Sequence, residues 1–98
     1  MKNHKYKISV SHIEDKDGNP VTGHSFDFIT TNHDEIIETI GRIRDTKQFE
    51  GDDAAAFAVG LKLFGEVMLK NKGNPLFTEF RPHFVEFMKK LKSSARNA

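Results

Sequence analysis

Between Ala54 and Leu69 the chain carries only two charges, Lys62 and Glu66, and every other side chain there is apolar or small. Phe57, Leu61, Phe64 and Met68 recur at i, i+4, i+7 and i+11, the period of an α-helix. A helix apolar around most of its circumference is stable only with neighbours on several sides, so the rest of the fold has to be arranged about this one. Asp52 is placed to cap it, the pattern predicts a helix from about 53 to 71, and Phe64 is expected deep in its packed face. Lys62, Glu66 and Lys70 form the one wet stripe, with Glu66 and Lys70 in the favourable i,i+4 order. Ala56, Gly60 and Gly65 leave room for close neighbours, and Lys70, Lys72 and Gly73 end the helix.

What surrounds the central helix begins with a hairpin. Tyr6, Ile8 and Val10 alternate with Lys5, Lys7, Ser9 and Ser11, the period of two of a half-buried strand over residues 4–14. Asp15-Lys16-Asp17-Gly18-Asn19-Pro20 is a dense turn cluster. Alternation resumes with Phe26 and Phe28 against Ser25 and Asp27, giving a second strand from about 22 to 30. Apolar residues hold even positions in both strands, so pairing must match even with even. Centring the turn on Gly18 sets Val10 opposite Phe26, Ile8 opposite Phe28 and His12 opposite His24, with these pairs on a helix-covered side.

Asn32 as cap, Glu35 three residues later and Asp34 at the positive end of the dipole announce the first helix. Ile36, Ile40 and Ile43 mark its apolar face, Ile37 widens it, and the helix ends near Thr46. Asn74-Pro75 starts a short helical turn reaching Phe80, and Pro82 opens the last helix, which presents Phe84, Phe87, Met88 and Leu91. Residues 93–98 are expected to fray. The predicted fold class is α+β, ordered ββααα: an N-terminal hairpin packed on one face by helices around a central helix, two layers forming a single domain over residues 1–98.

The segment Ala54–Asn71, the continuation Asn74-Pro75-Leu76-Phe77, then Phe84 with Phe87-Met88-Lys89-Lys90-Leu91-Lys92, and the hairpin turn Asp17-Gly18-Asn19-Pro20 are together distinctive. They resemble a family of short uncharacterised bacterial proteins filed as a domain of unknown function, over nearly the whole chain. The resemblance implies a small cytoplasmic bacterial protein and carries over no catalytic residue.

Composition closes several routes. Fifteen bases against fourteen acids leave a formal net charge of +1, so no global field attracts nucleic acid or a membrane surface. Cysteine is absent, which removes thiolate nucleophiles, Cys-ligated zinc and disulfides, and a reducing compartment, the cytoplasm, is expected. Lys2, Lys5 and Lys7 are followed by no apolar run, so a signal peptide is not expected, and no stretch has the length and apolarity of a membrane span.

Five histidines supply the remaining chemistry. His12 and His24 across the strands offer two imidazoles to a zinc or nickel ion near Glu14, while stable sites take three or four ligands and a third is not visible; the plainer role is to close the end of the hairpin. His33 and His83 stand near helix N-termini, where a general base would fit, but no carboxylate and nucleophile are spaced to serve them. Gly60 and Gly65 have a phosphate-loop interval but lie within a helix and lack the Lys-Ser/Thr that follows such a loop. No cofactor is implied.

Charge is distributed unevenly, with residues 34–53 acidic and residues 70–98 basic. Lys89, Lys90, Lys92 and Arg96 could meet phosphates, or simply compensate a helix dipole. Phe77, Phe80, Phe84 and Phe87 exceed what one helix face needs. Three readings follow. The first is a non-catalytic interaction or accessory protein, a binder of another protein or a homodimer formed through strand pairing, because a two-stranded sheet leaves both edges open, or through the Phe-rich C-terminal surface. The second is a small ligand-binding protein or enzyme with a Phe-lined pocket and a histidine. Nucleic-acid binding through the last helix is the third. An extended exposed apolar surface would favour the first, converging histidines and carboxylates the second, a continuous basic stripe the third.

Overall fold

Even-with-even pairing is the register the strands adopt. In the computed structural model, which describes residues 3–96, β1 (His4–Ser11) and β2 (Ser25–Asn32) are antiparallel, with Val10 opposite Phe26 and Ile8 opposite Phe28. The His12 amide donates to the His24 carbonyl at 2.9 Å, which continues the same register. After this hairpin come α1 (Ile36–Asp45), α2 (Asp53–Lys70), a 3-10 turn (Pro75–Phe77) and α3 (Arg81–Arg96), the ββααα order of an α+β fold. Residues Met1–His33 and Asp34–Ala98 form two units, each described by itself below.

The hairpin turn departs from its expected centre. Past His12 the ladder slips: the Val21 amide donates to the Ile13 carbonyl at 3.0 Å and Glu14 bridges Pro20, so Thr22 and Gly23 bulge out of the pairing. The tight turn spans Asp15–Gly18, closed by the Gly18 amide on the Asp15 carbonyl at 3.1 Å. Gly18 ends this turn instead of centring it, at φ 87°, a backbone angle that costs glycine nothing. The cause of the shift is the Asp15 side chain, whose Oδ1 accepts from the Asp17 and Asn19 amides, each at 2.9 Å.

Those donors stabilise the carboxylate. The Asn19 amide above all holds the Asp15 carboxyl below its ordinary value. A depressed carboxyl stabilises the turn at pH above its unfolded-state value, and that contribution is lost as pH falls through the folded value. NMR titration of the Asp15 carboxyl is expected to give a midpoint below that of the unfolded peptide, with the Asp17 and Asn19 amide resonances moving at the same pH. A midpoint at or above the unfolded value would show that the turn does not hold the carboxylate.

In the unit Asp34–Ala98, Glu35 and not Asn32 caps α1. Asn32 is the last residue of β2, while the Glu35 carboxylate accepts from the Ile37 and Glu38 amides. Asp34, one residue earlier, is taken by Lys62: its Oδ2 lies 2.7 Å from the Lys62 ammonium. That pair changes the reading of the wet stripe on α2. Lys62 is half-buried and Glu66 is buried, so of the three only Lys70 is exposed.

The core of this unit is Ile43 of α1 with Ala54 and Ala58 of α2, flanked by Ile40, Phe49, Phe57 and Leu91. Two alanines at the contact let α1 pack closely on α2. On α3, Phe84 reaches Phe64 at 6.1 Å between ring centroids and Phe87 reaches Phe57 at the same separation, so α3 runs antiparallel to α2. Gly65 admits Phe84: a Cβ there would stand 3.3 Å from its ring. Gly60 has no such neighbour.

Phe64 is not the buried residue its spacing suggests. It is 42% exposed, surrounded by Phe77, Phe80 and Phe84 at 6.0, 5.8 and 6.1 Å, a surface aromatic cluster and not an interior one. Arg81, the first residue of α3, donates through Nη2 to the Met68 and Asn71 carbonyls at 2.9 and 3.0 Å, which satisfies the end of α2. The last helix continues through Ser93 and Ser94 to Arg96; the remainder of the segment expected to fray lies outside the described residues.

Candidate functional site

The hairpin carries the apolar surface that most needs explaining. Parity places Ile8, Val10, Phe26 and Phe28 on one face, and the Phe26 and Phe28 rings lie 6.1 Å apart along it. The pairs expected on a helix-covered side are exposed: Val10 is 59% and Phe26 68% accessible, and His12 and His24 are exposed as well. Burial instead rises away from the turn, through Tyr6, Thr30 and Thr31 to the fully buried Asn32. The opposite face holds Lys7 against Asp27, 3.8 Å apart, and an exposed Ile29. Among the described residues no third strand joins the sheet, so each strand has one flank outside the ladder.

His12 and His24 do come together, with ring centroids 5.6 Å apart and planes tilted by 44°. They present two imidazoles, and among the described residues no group of three His, Asp or Glu side chains is assembled for a metal. His33 and His83 are both exposed and belong to neither cavity of the helical unit described next.

One cavity, of about 340 Å³, is lined by Phe49, Phe57 and Phe87 with Gln48, Lys90, Leu91 and Ser94; of the phenylalanines crowded into the C-terminal third, Phe87 alone is among these. Phe49 and Phe57 stack at 5.0 Å, and the Gln48 amide donates to the Ser94 hydroxyl at 3.2 Å. Among the described residues no histidine or carboxylate lines it, so these residues give it the walls of a binding cavity without an acid–base pair. A second cleft, of about 370 Å³, lies among α1, α2 and α3 and is lined by Thr39, Arg42, Ile43, Leu61, Lys62, Met88, Leu91 and Lys92. The sequence gives no sign of it, because its lining is drawn from three separate helices and no local spacing connects them.

The lysines of α3 do not make one stripe. Lys90 lines the Phe cavity and Lys92 the cleft, while Lys89 stands 3.6 Å from Glu86. The Arg96 side chain lies outside the described residues. No helix among the described residues is long and apolar enough to cross a membrane.

Comparison with known proteins agrees with this fold. A crystal structure of a protein of unknown function from Pectobacterium atrosepticum matches with a TM-score of 0.79 and 33% sequence identity, covering 94% of this chain and 99% of that one. No curated protein matches. The family model of a domain of unknown function with a solved structure, DUF3861, matches residues 4–93. The function of that family is unknown, and nothing in either comparison indicates catalysis. With nearly its whole length inside the family model, the chain belongs to the DUF3861 family.

Proposed function

We propose that this protein is a non-catalytic interaction module, and that the partner of its hairpin is a second copy of the same chain. The observation that carries this reading is the exposed face of Val10, Phe26 and Phe28 on a sheet that has two strands among the described residues. A two-stranded hairpin is marginal by itself in water, and large apolar side chains on its surface add a favourable free energy to any contact that covers them.

Identity of the partner follows from the strand flanks. β1 is guarded at its start by Lys5 and Lys7, whereas β2 carries one charge, Asp27, and no proline. Antiparallel pairing of β2 with β2 of a second copy about a two-fold axis would join two hairpins into a four-stranded sheet and bring Phe26 and Phe28 of both copies onto one surface. A net charge of +1 sets little repulsion against it. We place this module in the cytoplasm of a bacterial cell, the kind of organism its relative comes from and a compartment that suits a cysteine-free composition.

Phe26→Asp tests the surface. Two such carboxylates near a shared axis repel each other, and the variant is expected to weaken self-association by about tenfold or more, with helical circular dichroism unchanged. Sedimentation velocity would read this directly; a variant that sediments as the unmodified protein does at every concentration would remove the hairpin face from the interface.

A further inference from the structure

The cleft among the three helices has a one-sided charge pattern. Among the described residues its lining holds Arg42, Lys62 and Lys92 and no acid, in a chain with fifteen bases and fourteen acids. Its walls are otherwise apolar: Ile43 from α1, Leu61 from α2, and Met88 and Leu91 from α3. Of the three cations, Lys62 is committed to Asp34 at 2.7 Å. Arg42 donates to the Thr39 hydroxyl at 3.3 Å, and among the described residues neither Arg42 nor Lys92 has a carboxylate partner.

We propose that this cleft binds a small amphipathic anion, an alkyl chain ended by a carboxylate or a phosphate. The chain lies along Ile43, Leu61, Met88 and Leu91, and the anionic head meets Arg42 and Lys92. Charge complementarity selects the sign of the ligand, since Arg42 and Lys92, the two lining cations with no carboxylate partner among the described residues, disfavour a cation, and a neutral ligand would leave them without a charged contact. The apolar walls select a tail, because a free inorganic anion would leave them wet. A guanidinium offers parallel N–H donors to either head group, so the two heads are separated by experiment. The volume of about 370 Å³ falls at the small end of ligand pockets and limits the tail to a short or medium chain.

The test uses hexanoate, octanoate and decanoate, with decyl phosphate and the uncharged decanol, followed by NMR on the full chain. Affinity is expected to rise about three- to fourfold for each added methylene until the cleft is filled, as burial of apolar area requires. Resonances of Ile43, Leu61, Met88 and Leu91 should move, and decanol should bind about tenfold more weakly than the better of decanoate and decyl phosphate. Whichever of these two binds more tightly identifies the head group. Arg42→Gln and Lys92→Gln change exposed residues and leave the fold intact; each should cost the anions several-fold in affinity and leave decanol unaffected. Equal binding of decanol and both anions, shifts confined to Phe26 and Phe28, or no saturable shift at all would each overturn the proposal.

Discussion

Replacing Ile43 with alanine is expected to destabilise the helical unit by about 3 kcal/mol, the middle of the range for emptying a packed aliphatic site. Ile43 is 4% exposed and stands against Ala54 and Ala58, neither of which has a side chain long enough to fill the space left behind. Ile40, Phe49, Phe57 and Leu91 surround the same point, so the cavity would be walled by groups already engaged elsewhere. Urea denaturation followed by helical circular dichroism would show a lower midpoint at constant slope. Phe64→Ala, which removes a larger side chain, should cost less, about 1–2 kcal/mol, because that ring is already part-solvated and loses mainly aromatic edge contacts. The order of the two variants is the sharper test: a larger loss at Phe64 than at Ile43 would relocate the core.

The second large effect concerns Asp34 and Lys62, which join the lead into α1 to the middle of α2. The Lys62 side chain is 19% exposed and that of Asp34 33%, so the ammonium is the more poorly solvated partner. Asp34→Ala takes away the carboxylate at 2.7 Å and should cost about 2 kcal/mol, typical of a lost hydrogen bond to a charged group. Lys62→Met keeps the apolar stem, leaves a better-hydrated carboxylate behind and should cost less than about 1 kcal/mol. Equal losses from the two substitutions, read from denaturation midpoints, would mean that the pair behaves as an exposed surface bridge.

Much of the architecture is legible in the sequence, for identifiable reasons. The strands have a two-residue period with apolar groups at even positions, and parity alone excludes half of all registers, so Val10–Phe26 and Ile8–Phe28 follow once the turn is roughly located. Turn chemistry is less accessible: one Asp15 carboxylate gathering two amides moves the bend by a residue, and periodicity carries no trace of that. The start of α1 misleads for a similar reason. Asn32, Asp34 and Glu35 are all competent caps, and the choice falls to Glu35 because β2 extends to Asn32 while Lys62, far away in sequence, holds Asp34.

Helical spacing finds the apolar face of α2 but does not rank positions along it. Ala54 and Ala58 are buried where α1 packs on α2, whereas Phe64, larger but roughly 80–120° around the helix from them, faces the aromatic side chains of the 3-10 turn, the residues after it and α3. The cleft was not legible at all. Arg42, Lys62 and Lys92 read separately as solvated charges, and only the packing of three helices makes them neighbours.

Self-association through the hairpin is the central claim, and the molar mass of the unmodified protein in solution tests it most directly. Light scattering across the micromolar range is expected to show a mass rising with concentration towards twice the 11.2 kDa of the chain, with the plateau retained in moderate salt because the contact is mainly apolar and main-chain. A mass that stays at 11.2 kDa at every concentration and ionic strength would contradict it.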